Sequence, residues 1–449
     1  MYDISSCKRD FMLAILVLGL LSLSSFSFGQ APTVVGEVRS YNAESPHPYP
    51  RGDASRPVVW QDVVVSPDAE FIRLHFRGFA MAPGDYVTVS NPDGSDFWVY
   101  EGRGSKGTGD FWSFAVQGDT AIVEVHGGPR NSNGYRIDAL GHGSSQAGRS
   151  SVTPEVVCGT DGRQHIACHS GVTIPEIYEE PVARLLFISG PFMYACTGWL
   201  IDGENDDTLI TNNHCISKQS EVDTLQASYN YQRKECDRQD VETEADFTGG
   251  QLLITNNVDR RGRKGGLDYS LLTLLGNPAA NWGELKASTS AISVNDPIWF
   301  IQHPGGRPKE VGYWEGIDKV TRCHVDTVDQ TYGRSAVGSQ VGYACDSEGG
   351  SSGSPIILDA DTEPSYAIAL HHFGGVNSSC LNSGTSMADI CADAGSLLNC
   401  IGGGGTTPPP PEPEQCVNPG AEDVGEFCAS NLDCCSDKCK GKPGSMTCK

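Results

Sequence analysis

The sequence predicts a mainly β protein: a β-sandwich, then a barrel or pair of barrels, then a small disulfide-held module. Three observations predict it. Short runs with apolar residues at every second position recur near the N-terminal end, separated by turn-forming residues. Strand-like apolar runs continue through the middle, where helical periodicity is scarce, as in closed or paired barrels. Finally, six of the seventeen cysteines crowd the last few dozen residues, a segment too short to bury a core of its own.

At 449 residues the chain exceeds one ordinary domain, and its apolar content allows a sizeable core. A formal net charge of -24 argues against nucleic acid and anionic membranes as partners. Lys8 and Arg9 precede an apolar run over 11–28, and small residues near Ser27 and Gly29 permit cleavage, so 1–29 reads as a secretory signal. A membrane anchor is the alternative. Serines interrupt the second half of the run and disfavour it, and no other stretch is long and apolar enough to span a bilayer. Of the seventeen cysteines Cys7 leaves with the signal, and the remaining sixteen form an even set. In an exported chain they imply disulfides, and no Cys/His spacing resembles a zinc site, so neither metal nor cofactor is expected.

The stretch 35–143 has no cysteine and carries the clearest alternation. Ile72, Leu74 and Phe76 share one face, as do Val87 with Val89 and Val123 with Val125. Pro83-Gly84-Asp85, Asn91-Pro92-Asp93-Gly94 and Gly118-Asp119 supply turns between them. Trp60, Trp98 and Trp112 are assigned to the core rather than to a sugar-binding face. Asp85, Asp93 and Asp96 are assigned to solvated turns rather than to calcium. The module is either a propeptide or a binding domain. A linker over 144–157, rich in Gly and Ser, includes Arg149 as a processing point. The region 158–401 follows, then a Gly/Pro linker over 402–415. The last module, 416–449, holds Cys416, Cys428, Cys434, Cys435, Cys439 and Cys448. Six cysteines allow fifteen pairings. Their order resembles a cystine-knot miniprotein, which implies Cys416–Cys435, Cys428–Cys439 and Cys434–Cys448. A surface or polymer ligand is the expected partner of the terminal modules.

One segment organises the middle region: Asp346-Ser347-Glu348-Gly349-Gly350-Ser351-Ser352-Gly353-Ser354-Pro355, running into Ile356-Ile357-Leu358. A serine between glycines on a tight turn can present its hydroxyl beside backbone N–H groups, as a nucleophile with an oxyanion hole requires. A plain surface loop is the competing reading. A serine hydroxyl needs a base, and the base needs an orienting carboxylate. Upstream, Leu209-Ile210-Thr211-Asn212-Asn213-His214-Cys215 runs a strand into a histidine. Between the two, Gly266-Leu267-Asp268-Tyr269 places one carboxylate at the start of an apolar run, where an unpaired charge would be costly.

In the order His, Asp, Ser these pieces resemble the chymotrypsin/trypsin-like serine proteases, most closely their bacterial lysyl endopeptidase branch, over 158–400. The resemblance implies a trypsin-like double β-barrel, His214 as general base, Asp268 as its orienting carboxylate and Ser352 as nucleophile. It implies the N–H groups of Gly350 and Ser352 as the oxyanion hole. It also implies the pairs Cys196–Cys215, Cys168–Cys236 and Cys158–Cys380, leaving Cys323–Cys345 and Cys391–Cys400. Ser351 stands where trypsin-type zymogens carry an aspartate, so their ion-pair activation switch is absent. For the substrate pocket there are two candidate carboxylates, Asp346 and Asp389, each favouring cleavage after Lys or Arg. His372 stands where glutamyl endopeptidases hold a histidine, the alternative specificity. The expectation is a secreted, monomeric serine endopeptidase acting on proteins or peptides. A catalytically silent binding protein on the same fold is the competing class, and an α/β-hydrolase esterase is disfavoured by the chain order.

Overall fold

In the computed structural model of the chain, the described residues are 32–402, without 54–56, 129, 131, 145–155, 158, 172–173, 244, 258–265, 317, 333–334, 360–363 and 375–379, together with 439–440 and 447–448. The signal segment, Arg149, Cys158, the linker from 403 to 415, and Cys416, Cys428, Cys434 and Cys435 lie outside them. Cys439–Lys440 and Thr447–Cys448 form a short antiparallel pair.

The first part of the chain folds as two sheets. One holds β1 (Thr33–Glu44), β3 (Phe71–Ala80) and β7 (Gly134–Gly143). The other holds β2 (Val58–Val65), β4 (Tyr86–Ser90), β5 (Phe97–Glu101) and β6 (Thr120–His126), in the order β2-β6-β4-β5. Ile72, Leu74, Phe76, Val87, Val89, Val123 and Val125 all point into the core between them and are fully buried. Side chains of opposite sheets therefore interdigitate at the period of two that the alternation predicts. Asp85 is buried rather than solvated, because its two oxygens accept from Tyr49 Oη at 2.6 Å and Gly128 N at 2.8 Å.

The region beyond 158 builds two further layers. Strands β8 (Val182–Ser189), β9 (Phe192–Leu200), β10 (Thr208–Thr211), β11 (Gln226–Tyr229), β12 (Ala245–Asn256) and β13 (Tyr269–Leu274) pair in the order β8-β11-β12-β13-β10-β9. Because β9 also pairs with β8, this barrel closes and leaves no free edge within it. A second sheet contains β14 (Ile298–Gln302), β15 (Glu310–Gly312), β16 (Thr327–Gln330), β17 (Gln340–Tyr343), β18 (Pro355–Leu358), β19 (Ala367–Gly374) and β20 (Asn382–Ser386), in the order β15-β14-β18-β19-β20-β17-β16. Trp199, Tyr269, Trp299 and Leu370 belong to one apolar cluster that joins the barrel to this sheet.

The scarcity of helical periodicity hides one two-turn helix, α1 (Met387–Ala394). Ser386 caps it by accepting from Ala388 N at 3.1 Å, and Gly395 ends it with φ +59. Met387, Ile390, Cys391 and Ala394 bury one face of it, spaced as a helix requires.

Where the sequence reads two modules joined by a linker, the structure runs one sheet through both. β1 pairs antiparallel with β9, Thr33 opposite Ala195 and Glu37 opposite Phe192, while β7 pairs on its other side. Gly36 makes this approach possible, since a Cβ there would stand 2.4 Å from both His142 O and Met193 Cε. The seam is apolar: Val35, Ala115, Leu186, Ile188, Met193 and Ala195 bury against one another. Arg73, which alternation would send to solvent, is 1 % exposed and donates to Ser113 O at 2.9 Å. Burial pulls its guanidinium down to about 10.

Candidate active site

His214, Asp268 and Ser352 each sit just beyond one end of a strand. β10 runs into Asn212-Asn213-His214, and the Ile216 N–H closes a turn on Asn212 O at 3.1 Å. The Cys196–Cys215 disulfide then ties this turn to β9. Asp268 precedes β13 with φ +51, an unusual backbone for a non-glycine residue. Asn212 Nδ2 holds the Asp268 carbonyl at 2.9 Å. In this pose Asp268 Oδ1 accepts the His214 N–H at 3.0 Å and Oδ2 faces His214 Nδ1 at 2.8 Å. Both side chains are nearly closed to solvent, 9 % and 3 % exposed. Burial alone would raise the Asp268 carboxyl, but the charges and hydrogen bonds of His214 and His372 outweigh it and hold it well below the usual carboxylate range.

Ser352 lies between two glycines that only glycine can occupy. Gly350 has φ +103, and a Cβ there would press on Gly305 N and His303 O at 2.8 Å. Gly353 has φ +93, and its Cβ would overlap Thr197 O at 2.1 Å. Ser351 and Ser354 close the turn, with Ser354 N donating to Ser351 O at 3.0 Å and Ser351 Oγ to Gln302 Oε1 at 2.6 Å. A neutral hydrogen bond thus occupies the place where an ion-pair switch would need an aspartate. Thr197 clamps the loop from β9: its N–H donates to Ser352 O at 2.9 Å and its Oγ1 to Gly350 O at 2.9 Å. Ser352 O also lies 3.9 Å from Cys215 Sγ, beside His214. Ser352 Oγ donates to His372 O at 3.5 Å, a long contact, and His214 Nε2 is buried without a hydrogen-bond partner among the described residues.

The three pocket candidates fall in different places. Asp346, at the start of the nucleophile loop, is fully buried and accepts from Gly162 N at 2.6 Å. His372 is fully buried on β19, its Nδ1 3.3 Å from Asp268 Oδ2 and its Nε2 2.5 Å from Gln340 Oε1 and 3.3 Å from Ser383 Oγ. Asp389 stands on a different element from Asp346 and His372. The chain after Cys380 pairs as β20 through Ser386, so Asp389 falls on the first turn of α1. Burial raises its carboxyl, and Ser386 bonds to it.

Several residues of the site carry no motif. Gln302, Gln340 and Ser383 complete the hydrogen bonds of Ser351 and His372. Asn382 bridges Cys345 O at 2.7 Å and Val156 O at 2.9 Å, and accepts from Val156 N at 3.2 Å. Only the position of Asn382, two residues after Cys380, could have singled it out. The disulfides Cys168–Cys236, Cys196–Cys215, Cys323–Cys345 and Cys391–Cys400 are formed. Cys380 is also disulfide-bonded.

A closed barrel with a second sheet packed on it, a buried His–Asp pair and a glycine-flanked serine loop are the features of the double-barrel serine-protease class of fold. Residues 160–391 match the family model described as the lysyl endopeptidase C-terminal domain, and the chain belongs to that family. It is similar to the secreted RxLR effector protein 73 of Plasmopara viticola, 31% identical over 331 residues, covering 70% of this chain and 77% of that protein. It is also similar to the lysyl endopeptidase of Pseudomonas aeruginosa, 25% identical over 326 residues, covering 68% of this chain and 65% of the enzyme. Among solved structures, a Glu endopeptidase aligns at 16% identity with a TM-score of 0.37, covering 53% of this chain and 100% of that one.

Proposed function

We propose that the chain is a secreted serine endopeptidase that hydrolyses peptide bonds after Lys or Arg. One observation carries the reading: His214 is oriented by a carboxylate held ionised in a nearly closed site, next to the loop that bears Ser352. His214 Nε2 takes the Ser352 proton as the hydroxyl attacks the peptide carbonyl. The N–H groups of Gly350 and Ser352 stabilise the oxyanion, each donor worth about 3 kcal/mol. His214 then gives the proton to the leaving amine, and water resolves the acyl-enzyme by the same route.

Two features support basic specificity. Asp346 places a buried carboxylate at the start of the nucleophile loop, where a negative charge favours a cationic side chain over an acidic one. Both ring nitrogens of His372 already face acceptors or hydroxyls within the protein, which leaves it poorly placed to bind an acidic side chain. The signal-like 1–29 and the disulfides fit an exported protein. We further read 416–449 as a disulfide-held anchoring module and the enzyme as a cofactor-free monomer. No helix among the described residues is long and apolar enough to cross a membrane.

A catalytically silent secreted binding protein is the second reading. It is favoured by the Ser352 hydroxyl bonding to His372 O instead of His214. A fluorophosphonate separates the two. Labelling of wild-type protein but not Ser352→Ala is the expected result; no labelling of the folded wild type overturns the endopeptidase.

A further inference from the structure

We propose that the N-terminal β-module is a permanent part of the enzyme, in which β1 props the oxyanion loop, rather than a prosegment to be discarded. The inference rests on the endopeptidase reading above. The β1–β9 register shifts between Val34 and Gly36, so Val35 sits at a bulge. There Val35 is 5 % exposed and packs over the turn Pro304–Gly306: a Cβ on Gly306 would stand 3.4 Å from Val35 Cγ1 and 2.7 Å from Ala195 Cβ.

The opposite side of that turn carries the nucleophile loop. Gly305 N donates to Gly349 O at 2.6 Å, and Gly350 packs so closely that a Cβ on it would meet Gly306 N at 2.9 Å. Gly305 and Gly306 both have positive φ, so this turn has few other conformations that keep both contacts. A second route runs along the pairing itself. Ala195, opposite Thr33, lies two residues before Thr197, which clamps Gly350 O and Ser352 O and whose Oγ1 also accepts from His303 N at 2.9 Å. Oxyanion donors act only when held in place before the reaction, and a misplacement of about 1 Å can cost on the order of 100-fold.

The rest of the seam makes the module hard to release. Ala115 N donates to Gln226 Oε1 at 2.9 Å, Val38 N to Pro191 O at 2.7 Å, and Lys106 Nζ meets Asp223 Oδ1 at 2.5 Å. These contacts join the apolar patch around Met193, which would face water if the module left.

The test uses the full-length protein in two arms, each read by fluorophosphonate acylation and steady-state kinetics. In the first, Val35→Asp lowers kcat at least tenfold with KM within about twofold, Val35→Ile restores it, and Lys106→Ala, on the same seam but away from the turn, leaves it unchanged. Val35→Ala, with a several-fold loss, substitutes if Val35→Asp does not fold. In the second, a site for a sequence-specific protease is placed between Ser144 and Val156 and cut. The fragment then co-elutes with the rest through size exclusion and kcat is kept. Wild-type kcat in folded Val35→Asp or Val35→Ala, or release of the fragment with kcat equal or higher, overturns the inference. If wild-type Ser352 is not acylated, the endopeptidase reading fails and this inference with it; if it is acylated while the variants match it, only this inference fails.

Discussion

Replacing Asp268 by asparagine tests the electrostatics of the site with almost no change of shape. In the native protein Oδ1 accepts the His214 N–H, and Oδ2 faces both His214 Nδ1 at 2.8 Å and His372 Nδ1 at 3.3 Å. An amide has one acceptor and one donor. If its oxygen keeps the His214 N–H, its NH₂ points at the ring, and His214 must present an unprotonated Nδ1 and carry its proton on Nε2. That tautomer cannot take the Ser352 proton. The comparable change in serine proteases costs about 10⁴ in kcat, or about 5.5 kcal/mol, and the same loss is expected here. The assay is kcat on a lysyl ester at pH 8, with circular dichroism to show an intact fold. A loss of less than tenfold would refute the role assigned to Asp268. The same variant has a second signature. The native carboxyl lies below its unfolded value, so it stabilises the fold above about pH 4, and that contribution is lost as pH falls through the folded value. Asp268→Asn flattens this acid limb of the urea midpoint against pH.

Three further outcomes follow from the same geometry. His372→Gln should lower kcat about tenfold through loss of a partner on Asp268 while the preferred residue before the cut stays the same; a changed preference would return His372 to the substrate pocket. Removing the Cys196–Cys215 bridge, which spans 19 residues, by the double change to serine should cost about 3 kcal/mol in urea unfolding, and an unchanged midpoint would contradict its role in holding the His214 turn. Glu284 is raised to about 7, by burial and then by Asp202, Asp206 and Asp207. Its folded value exceeds its unfolded one, so stability falls as pH climbs from about 4.5 through 7. Glu284→Gln should recover on the order of 1 kcal/mol above pH 7, after discounting for solvent screening, and no gain there would remove the strain assigned to it.

The sheets of both regions were legible wherever one face meets a core and the other does not. Val87, Val89, Val123 and Val125 announce themselves by alternation and are buried as a set. Arg73 shows where that rule stops, since the outer face of β3 is covered by other parts of the chain and the period of two then conceals burial. The joining of the module to the barrel was invisible for a similar reason: edge-strand pairing uses backbone groups that every residue owns, and Gly36 marks it only in retrospect. At the site, His214, Asp268 and Ser352 stand in characteristic frames. Gln302, Gln340, Ser383 and Asn382 do not, because their work is to satisfy buried polar groups, and many sequences can do that. The helix that carries Asp389 was not legible, because eight residues are too few for helical periodicity to stand out from the strand Asn382–Ser386 before it.

Cleavage of peptide bonds by Ser352 after a basic residue is open to a direct measurement. A denatured protein mixture, digested with the secreted protein and with Ser352→Ala as the blank, reports it directly when the new termini are read by mass spectrometry. Cuts after Lys or Arg in the wild-type digest alone, diminished by Asp346→Ser, are the expected result. Cuts after Glu, or no cuts above the blank by a folded and fully processed wild-type protein, would contradict it.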